Sequence, residues 1–131
     1  MPENKSNKKK ILLIEDDRYY LKSLKDCLKR AGFEVAVALT GEEGITKIKA
    51  NNGSPDLVLL DILLPVKNGF EVLEEVEQDK NLKKIPIIIL SNLGEKSDIQ
   101  RGKSLGAVDH WVKIDSPIKT IIEKVSDYLK D

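Results

Sequence analysis

Short, unbroken apolar runs alternate along the chain with longer stretches whose apolar residues recur every three or four positions. Residues 11–14, 57–60 and 85–90 are almost wholly apolar, which is typical of strands covered on both faces. Two weaker runs, 33–39 and 108–112, are typical of strands nearer the edges of a sheet. The pattern therefore predicts five strands, each followed by a helix.

The intervening helices differ in how clearly the sequence marks them. Gly32 marks the end of the first, and the third is predicted to begin after Asn68-Gly69. The fourth, within 95–105, has few large apolar residues. The fifth is the clearest, with Ser116 as its predicted N-cap and Pro117 in its first turn. Strands that alternate with helices predict an α/β fold, in which a parallel sheet is covered by helices on both faces.

Composition narrows the class of protein. The chain has 131 residues, which suits one domain, with 22 basic and 22 acidic side chains and a formal net charge of zero. This balance argues against direct binding to nucleic acid or to a membrane surface. A single cysteine excludes an intramolecular disulfide, and no apolar run is long enough for a signal peptide or a membrane span. We expect a soluble cytoplasmic domain over residues 9–131, preceded by a flexible polar arm over residues 1–8.

Polar groups follow the central apolar runs directly. Glu15 and Asp16 follow the first run, Asp61 the third, Ser91 the fourth and Lys113 the fifth. The carboxyl ends of parallel strands meet at one edge of a sheet, where α/β proteins bind ligands. Carboxylates about 4 Å apart repel by roughly 4 kcal/mol at an effective dielectric constant of about 20, so a cation is needed. Oxygen ligands suit Mg²⁺, and an aspartate beside a metal and a lysine can form an acyl phosphate.

Five motifs together resemble the receiver domains of response regulators in two-component signalling, over residues 9–130. They are ILLIEDD (11–17), DLVLLDILLP (56–65), NGFEVL (68–73), IPIIILSN (85–92) and LGAVDHWVK (105–113). The resemblance implies a doubly wound five-stranded parallel sheet of flavodoxin-like order 2-1-3-4-5 with five helices. It also implies that Asp61 is the phosphorylation site. The Mg²⁺ ligands would then be Glu15, Asp16, Asp61 and the backbone carbonyl of Leu63.

The same resemblance assigns the remaining site residues. Lys113, Ser91 and the backbone of Asn92 would contact the phosphate, and Ser91 and His110 would act as the switch pair. The sequence departs from the family where Ile114 follows Lys113 in place of the usual proline, and where Asn92 replaces a small residue.

Apolar side chains at Leu63 and Leu93 stand where polar ones could orient an attacking water. We therefore hypothesise a long-lived phosphoryl state.

The implied function is that of a stand-alone signalling switch rather than an enzyme, although it would promote its own phosphorylation and dephosphorylation. A sensor histidine kinase or phosphotransfer protein would phosphorylate it. The output would be contact with a downstream protein through the fourth helix, fifth strand and fifth helix. A phosphorylation-dependent dimer is left open.

Two other interpretations remain. A pseudo-receiver or scaffold would bind partners without phosphorylation. An aspartyl-phosphate phosphohydrolase would also use an aspartate and Mg²⁺. Such enzymes typically have an Asp-x-Asp motif after the first strand, whereas the second residue after Asp61 is Leu63.

Overall fold

The computed structural model describes residues 8–50 and 54–130, so the predicted polar arm lies outside the described residues except for Lys8. Strands and helices alternate from one end of this part to the other. Their bounds are β1 Lys10–Ile14, α1 Arg18–Arg30, β2 Glu34–Ala38, α2 Gly41–Lys49, β3 Leu57–Leu60, α3 Gly69–Glu77, β4 Ile87–Ser91, α4 Lys96–Ser104, β5 Asp109–Val112 and α5 Ile118–Tyr128. A short 3₁₀ turn, Lys113–Asp115, joins β5 to α5.

All five strands form one parallel sheet in the order β2-β1-β3-β4-β5. The predicted fold class, strand order and helix number are confirmed. The strand order reverses beside β1, so the loops after β1 and β3 face each other at the carboxyl edge. That edge is where the candidate site lies.

Alternate residues of each central strand enter two separate cores. In β1, Ile11 and Leu13 pack with α1 and α5, whereas Leu12 and Ile14 pack with α2 and α3. All four are essentially inaccessible to solvent. Two-sided burial explains why the central strands are unbroken apolar runs instead of alternating ones.

Helix α4 is attached to the sheet by few apolar contacts. Gly102 is its one buried residue, and a β-carbon built there would clash with Cδ1 of Ile89. The Arg101 guanidinium lies 4.2 Å from the centre of the Phe70 ring and links α4 to α3. A small residue at Gly102 thus lets a mostly polar helix approach the sheet closely.

The start of α5 differs from the prediction. Pro117 occupies the N-cap position, no side chain caps the helix, and the first helical residue is Ile118. Ser116 is buried and ends the preceding 3₁₀ turn, so its predicted role as N-cap is wrong. Here the 3₁₀ turn after β5 displaces the start of the helix.

Among the described residues, no helix is both long and apolar enough to cross a membrane.

Candidate functional site

Three carboxylates meet where β1 and β3 end. Glu15 and Asp61 are buried, whereas Asp16 is exposed. One carboxylate oxygen from each lies within 4.8 Å of the others. The backbone N–H of Asp61 donates to the carbonyl of Ile14 at 3.0 Å, which fixes the end of β3 beside the end of β1. We call Glu15, Asp16 and Asp61 the acidic pocket.

The next acidic residue, Asp17, has a structural role. Its carboxylate accepts hydrogen bonds from the backbone N–H groups of Tyr19 and Tyr20, at 3.1 and 3.2 Å, and so caps α1. Its own N–H donates to Glu15 Oε2 at 3.0 Å. The cap therefore also orients one carboxylate of the acidic pocket.

The acidic pocket fits a hard divalent cation such as Mg²⁺. Its donors are all carboxylate oxygens, and two of the three residues are held in place by burial. Burial raises the pKa of the Glu15 carboxyl to about 7, although the hydrogen bond from Lys113 acts in the opposite direction. A divalent cation would remove the energetic cost of this buried negative charge. The predicted fourth ligand, the carbonyl of Leu63, stays a prediction; the N–H of Leu63 donates to Asp61 Oδ1 at 3.2 Å.

Lys113 is the positive charge of the site. It begins the 3₁₀ turn after β5, and its Nζ donates to Asp61 Oδ2 at 3.0 Å and to Glu15 Oε1 at 2.5 Å. Burial alone would lower the pKa of the ammonium, but its bonds to the two carboxylates raise the pKa above its ordinary value. The lysine therefore stays charged and partly neutralises the acidic pocket.

Tyr20 contacts this lysine through the face of its ring, a role that the sequence did not predict. The Lys113 Nζ lies 4.5 Å from the centre of the Tyr20 ring. Burial raises the pKa of the Tyr20 phenol to about 12, so the hydroxyl stays neutral. Its oxygen has no hydrogen-bond partner within the described part of the chain. The only sequence signal was its position one turn before Leu24, at the edge of the apolar face of α1.

Ser91 and His110, the predicted switch pair, both bind the backbone of Leu93. The N–H of Leu93 donates to Ser91 Oγ at 3.2 Å, and Nε2 of His110 lies 2.7 Å from the Leu93 carbonyl. Because a carbonyl only accepts, Nε2 is the protonated nitrogen of that ring. Ser91 is fully buried at the end of β4, and His110 is half-buried in β5. The two side chains are thus joined through one residue of the β4–α4 loop.

The two departures around Lys113 are bonded to each other. The backbone N–H of Ile114 donates to the side-chain Oδ1 of Asn92 at 2.9 Å. A proline at position 114 would have no N–H to donate. No pattern in the sequence predicts this bond, which joins the loop after β4 to the turn after β5.

The loop after Asp61 is fixed by α3. Asn68 caps that helix in a reciprocal capping box with Glu71. The N–H of Gly69 donates to the Ile62 carbonyl at 3.0 Å. A β-carbon at position 69 would lie 2.5 Å from the backbone oxygen of Asp61. Glycine at this position therefore allows the start of α3 to pack closely against the backbone of Asp61.

Comparison with known proteins agrees with this geometry. The family model of the response regulator receiver domain matches residues 11–125. The chain is 34% identical over 125 residues to the chemotaxis protein CheY of Treponema pallidum, which covers 92% of this chain and 83% of that protein. It is also 39% identical over 111 residues to a probable transcriptional regulator, ycf27, of Cyanophora paradoxa.

The ycf27 match covers 85% of this chain but only 44% of that regulator, so the chain spans less than half the length of this relative. Among solved structures, the Mn²⁺-bound form of response regulator Rcp1 superposes with a TM-score of 0.82 at 26% identity. That superposition covers 93% of this chain and 95% of Rcp1.

Proposed function

Because the chain belongs to the response regulator receiver domain family, we propose that it is a phosphorylation-controlled switch with Asp61 as the phosphoryl acceptor. Family membership supports phosphorylation-controlled signalling in general, and receiver domains bind Mg²⁺ at an acidic pocket. The observation that carries the choice is that the buried Asp61 carboxylate binds the Lys113 ammonium directly, 3.0 Å away, and shares it with Glu15. Among the described residues, Glu15 alone has the same burial, lysine partner and neighbouring carboxylates, and the place of Asp61 in the receiver-like motif DLVLLDILLP (56–65) favours Asp61 as the acceptor.

The chain supplies a nucleophile and charge compensation for phosphoryl transfer. A carboxylate oxygen of Asp61 attacks phosphorus, the bond from phosphorus to the donor atom breaks, and the donor leaves with the electron pair of that bond. When bound, Mg²⁺ would neutralise charge on the phosphoryl oxygens. Lys113 already lies beside Asp61 and can pair with one such oxygen. The Ser91 hydroxyl can donate to another.

The shared backbone of Leu93 supports a route from the phosphate to the surface. A phosphoryl group carries about −1.5 to −2 charges and can form one to three charge-assisted hydrogen bonds. The Ser91 hydroxyl that would donate to it also accepts from the Leu93 N–H, so a rotation of this side chain toward the phosphate would be transmitted to Leu93, whose carbonyl holds the His110 ring. The loosely attached α4 follows directly. We propose that α4, β5 and α5 form the surface that changes.

Exposed apolar side chains around the acidic pocket favour a protein as phosphodonor. Tyr19, Leu63 and Ile114 are 90%, 56% and 82% exposed, and they follow β1, β3 and β5. A donor protein that reaches Asp61 would cover them, which gives association a hydrophobic contribution. We propose a sensor histidine kinase or phosphotransfer protein as this donor and a downstream protein as the target. Direct nucleic-acid binding is not part of the proposal, and the cytoplasmic location and the phosphorylation-dependent dimer stay predictions.

Intact-mass spectrometry with a small donor tests the assignment. Incubation with Mg²⁺ and phosphoramidate should add one phosphoryl group to the wild-type chain and none to Asp61→Asn. Asp127→Asn, on α5 away from the acidic pocket, is the matched control and should be phosphorylated normally. A modified Asp61→Asn variant, or a wild-type chain that no donor modifies, would contradict the proposal. The second outcome would favour the pseudo-receiver.

A further inference from the structure

The hydrogen bond between Asn92 and Ile114 extends the link between β4 and β5 beyond their last paired residues. In the sheet, the final pair of the two strands is Ser91 with Val112. Asn92 directly follows the first of these, and the Ile114 N–H that donates to its Oδ1 lies two residues beyond the second. The bond therefore connects the loop that follows β4 to the turn that carries Lys113.

Apart from the bonds of the Lys113 ammonium to the acidic pocket, few contacts with other described residues hold this turn. The Ile114 side chain is 82% exposed, so packing contributes little to fixing its backbone. The turn itself is a single 3₁₀ turn, closed by the Ser116 N–H donating to the Lys113 carbonyl at 3.0 Å. A short turn with an exposed central residue has few buried contacts, so each further contact restrains its local opening. The Asn92 side chain supplies such a contact.

We propose that the Asn92 side chain is a positioning residue for Lys113: it anchors the turn and so holds the ammonium over the acidic pocket. The lysine donates to two of the three carboxylates that would bind a divalent cation. It therefore competes with Mg²⁺ for the same negative charge, while it also prepares Asp61 to receive a phosphoryl group. The effect on phosphorylation rests on the function proposed above. The effect on Mg²⁺ does not.

The two roles make Asn92→Ala change two measurements in opposite directions. A less firmly held ammonium leaves more uncompensated negative charge in the acidic pocket, so Mg²⁺ binds more tightly. The same loosening makes Lys113 a poorer partner for the incoming phosphoryl group, so phosphorylation slows. The loss of one hydrogen bond corresponds to about a two- to tenfold effect on each. General destabilisation of the fold would weaken both instead.

The test measures Mg²⁺ affinity by titration calorimetry and the phosphorylation rate with phosphoramidate at saturating Mg²⁺. Thr40→Ala is the matched control, because Thr40 Oγ1 also accepts a backbone N–H, that of Glu43 at 3.0 Å, but at the start of α2. Asn92→Ala should bind Mg²⁺ about two- to tenfold more tightly and react about two- to tenfold more slowly, and Thr40→Ala should change neither. Unchanged or weaker Mg²⁺ binding by Asn92→Ala would overturn the proposal.

A double-mutant cycle identifies the bond itself. Ile114→Pro removes the donor N–H, whereas Ile114→Ala keeps it. Asn92→Ala should therefore have its full effect on Mg²⁺ affinity in the Ile114→Ala background and none in the Ile114→Pro background. An effect of equal size in both would overturn the proposal. If no donor phosphorylates the wild-type chain, the proposed function fails, while the Mg²⁺ measurements still decide the role of Asn92.

Discussion

The ammonium of Lys113 lies 4.5 Å from the centre of the Tyr20 ring and also binds the carboxylates of Glu15 and Asp61. An aromatic face attracts a cation without neutralising it, so the lysine remains available to a phosphoryl oxygen. The ring also lines a small cavity together with Glu15 and Asp61. The Lys113 ammonium, which would assist phosphoryl transfer, is thus held by the Tyr20 ring of α1 and by two carboxylates, Glu15 after β1 and Asp61 after β3.

Two substitutions at Tyr20 separate its ring from its hydroxyl. Tyr20→Phe keeps the ring and removes a buried hydroxyl for which the described residues offer no partner. We expect the free energy of unfolding to rise by about 1 kcal/mol. Tyr20→Leu removes the ring, and the free energy should fall by about 1–2 kcal/mol. Urea denaturation measures both, and equal losses in the two variants would show that the hydroxyl, not the ring, stabilises the site.

Mg²⁺ binding should depend on pH through Glu15. The pKa of this carboxyl rises from 4.5 to about 7 in the folded protein. Its protonated form is therefore favoured on folding, and this contribution to stability is lost as pH rises from about 4.5 through about 7. Mg²⁺ competes with that proton, so its affinity should be roughly tenfold weaker at about pH 6 than well above pH 7.

Calorimetric titration across this pH range measures the effect, with Glu15→Gln as the control. The glutamine variant has no proton to displace, and its weaker Mg²⁺ binding should lose most of the pH dependence. The same pH dependence in both proteins would assign it to another group.

The lifetime of the phosphoryl state should respond to Leu63. This side chain is exposed next to Asp61 and offers no polar atom to orient an attacking water. Leu63→Asn should hasten phosphoryl loss about tenfold, the equivalent of one well-placed hydrogen bond. Leu63→Ala removes the apolar group without adding a polar one and should change the rate little. Intact mass followed over time after donor removal gives the rates, and a wild-type half-life of seconds would contradict the hypothesis of a long-lived state.

Val66 has a backbone conformation that suits valine poorly. Its φ of 68° is positive, unlike that of any other non-glycine among residues 8–50 and 54–130, and its side chain is fully exposed. A left-handed conformation costs a β-branched residue about 1–2 kcal/mol, and asparagine tolerates it better. Val66→Asn should therefore raise the free energy of unfolding by about 1 kcal/mol in urea denaturation. Val108→Asn, an exposed valine without a positive φ, should give no gain.

The sequence was sufficient to predict the sheet and the acidic pocket because both depend on where apolar runs end. A strand buried on both faces must stop at its first charged residue, and so Glu15 and Asp61 fall at the same edge. The Asn92–Ile114 bond and the contact of Tyr20 with Lys113 could not be predicted in this way. They depend on how separate loops and helices approach one another, which packing decides. The N-cap of α5 was predicted one residue too early, at Ser116, because no pattern in the sequence predicts the 3₁₀ turn Lys113–Asp115 that Ser116 ends.

The most direct measurement of the central claim locates the phosphoryl group. Borohydride reduces an aspartyl phosphate to homoserine, and peptide mass spectrometry then identifies the converted residue. After treatment with phosphoramidate and Mg²⁺, we predict homoserine at position 61 and unmodified Asp16 and Asp17. Conversion at another aspartate, or a phosphorylated protein with Asp61 intact, would contradict the assignment of Asp61 as the acceptor.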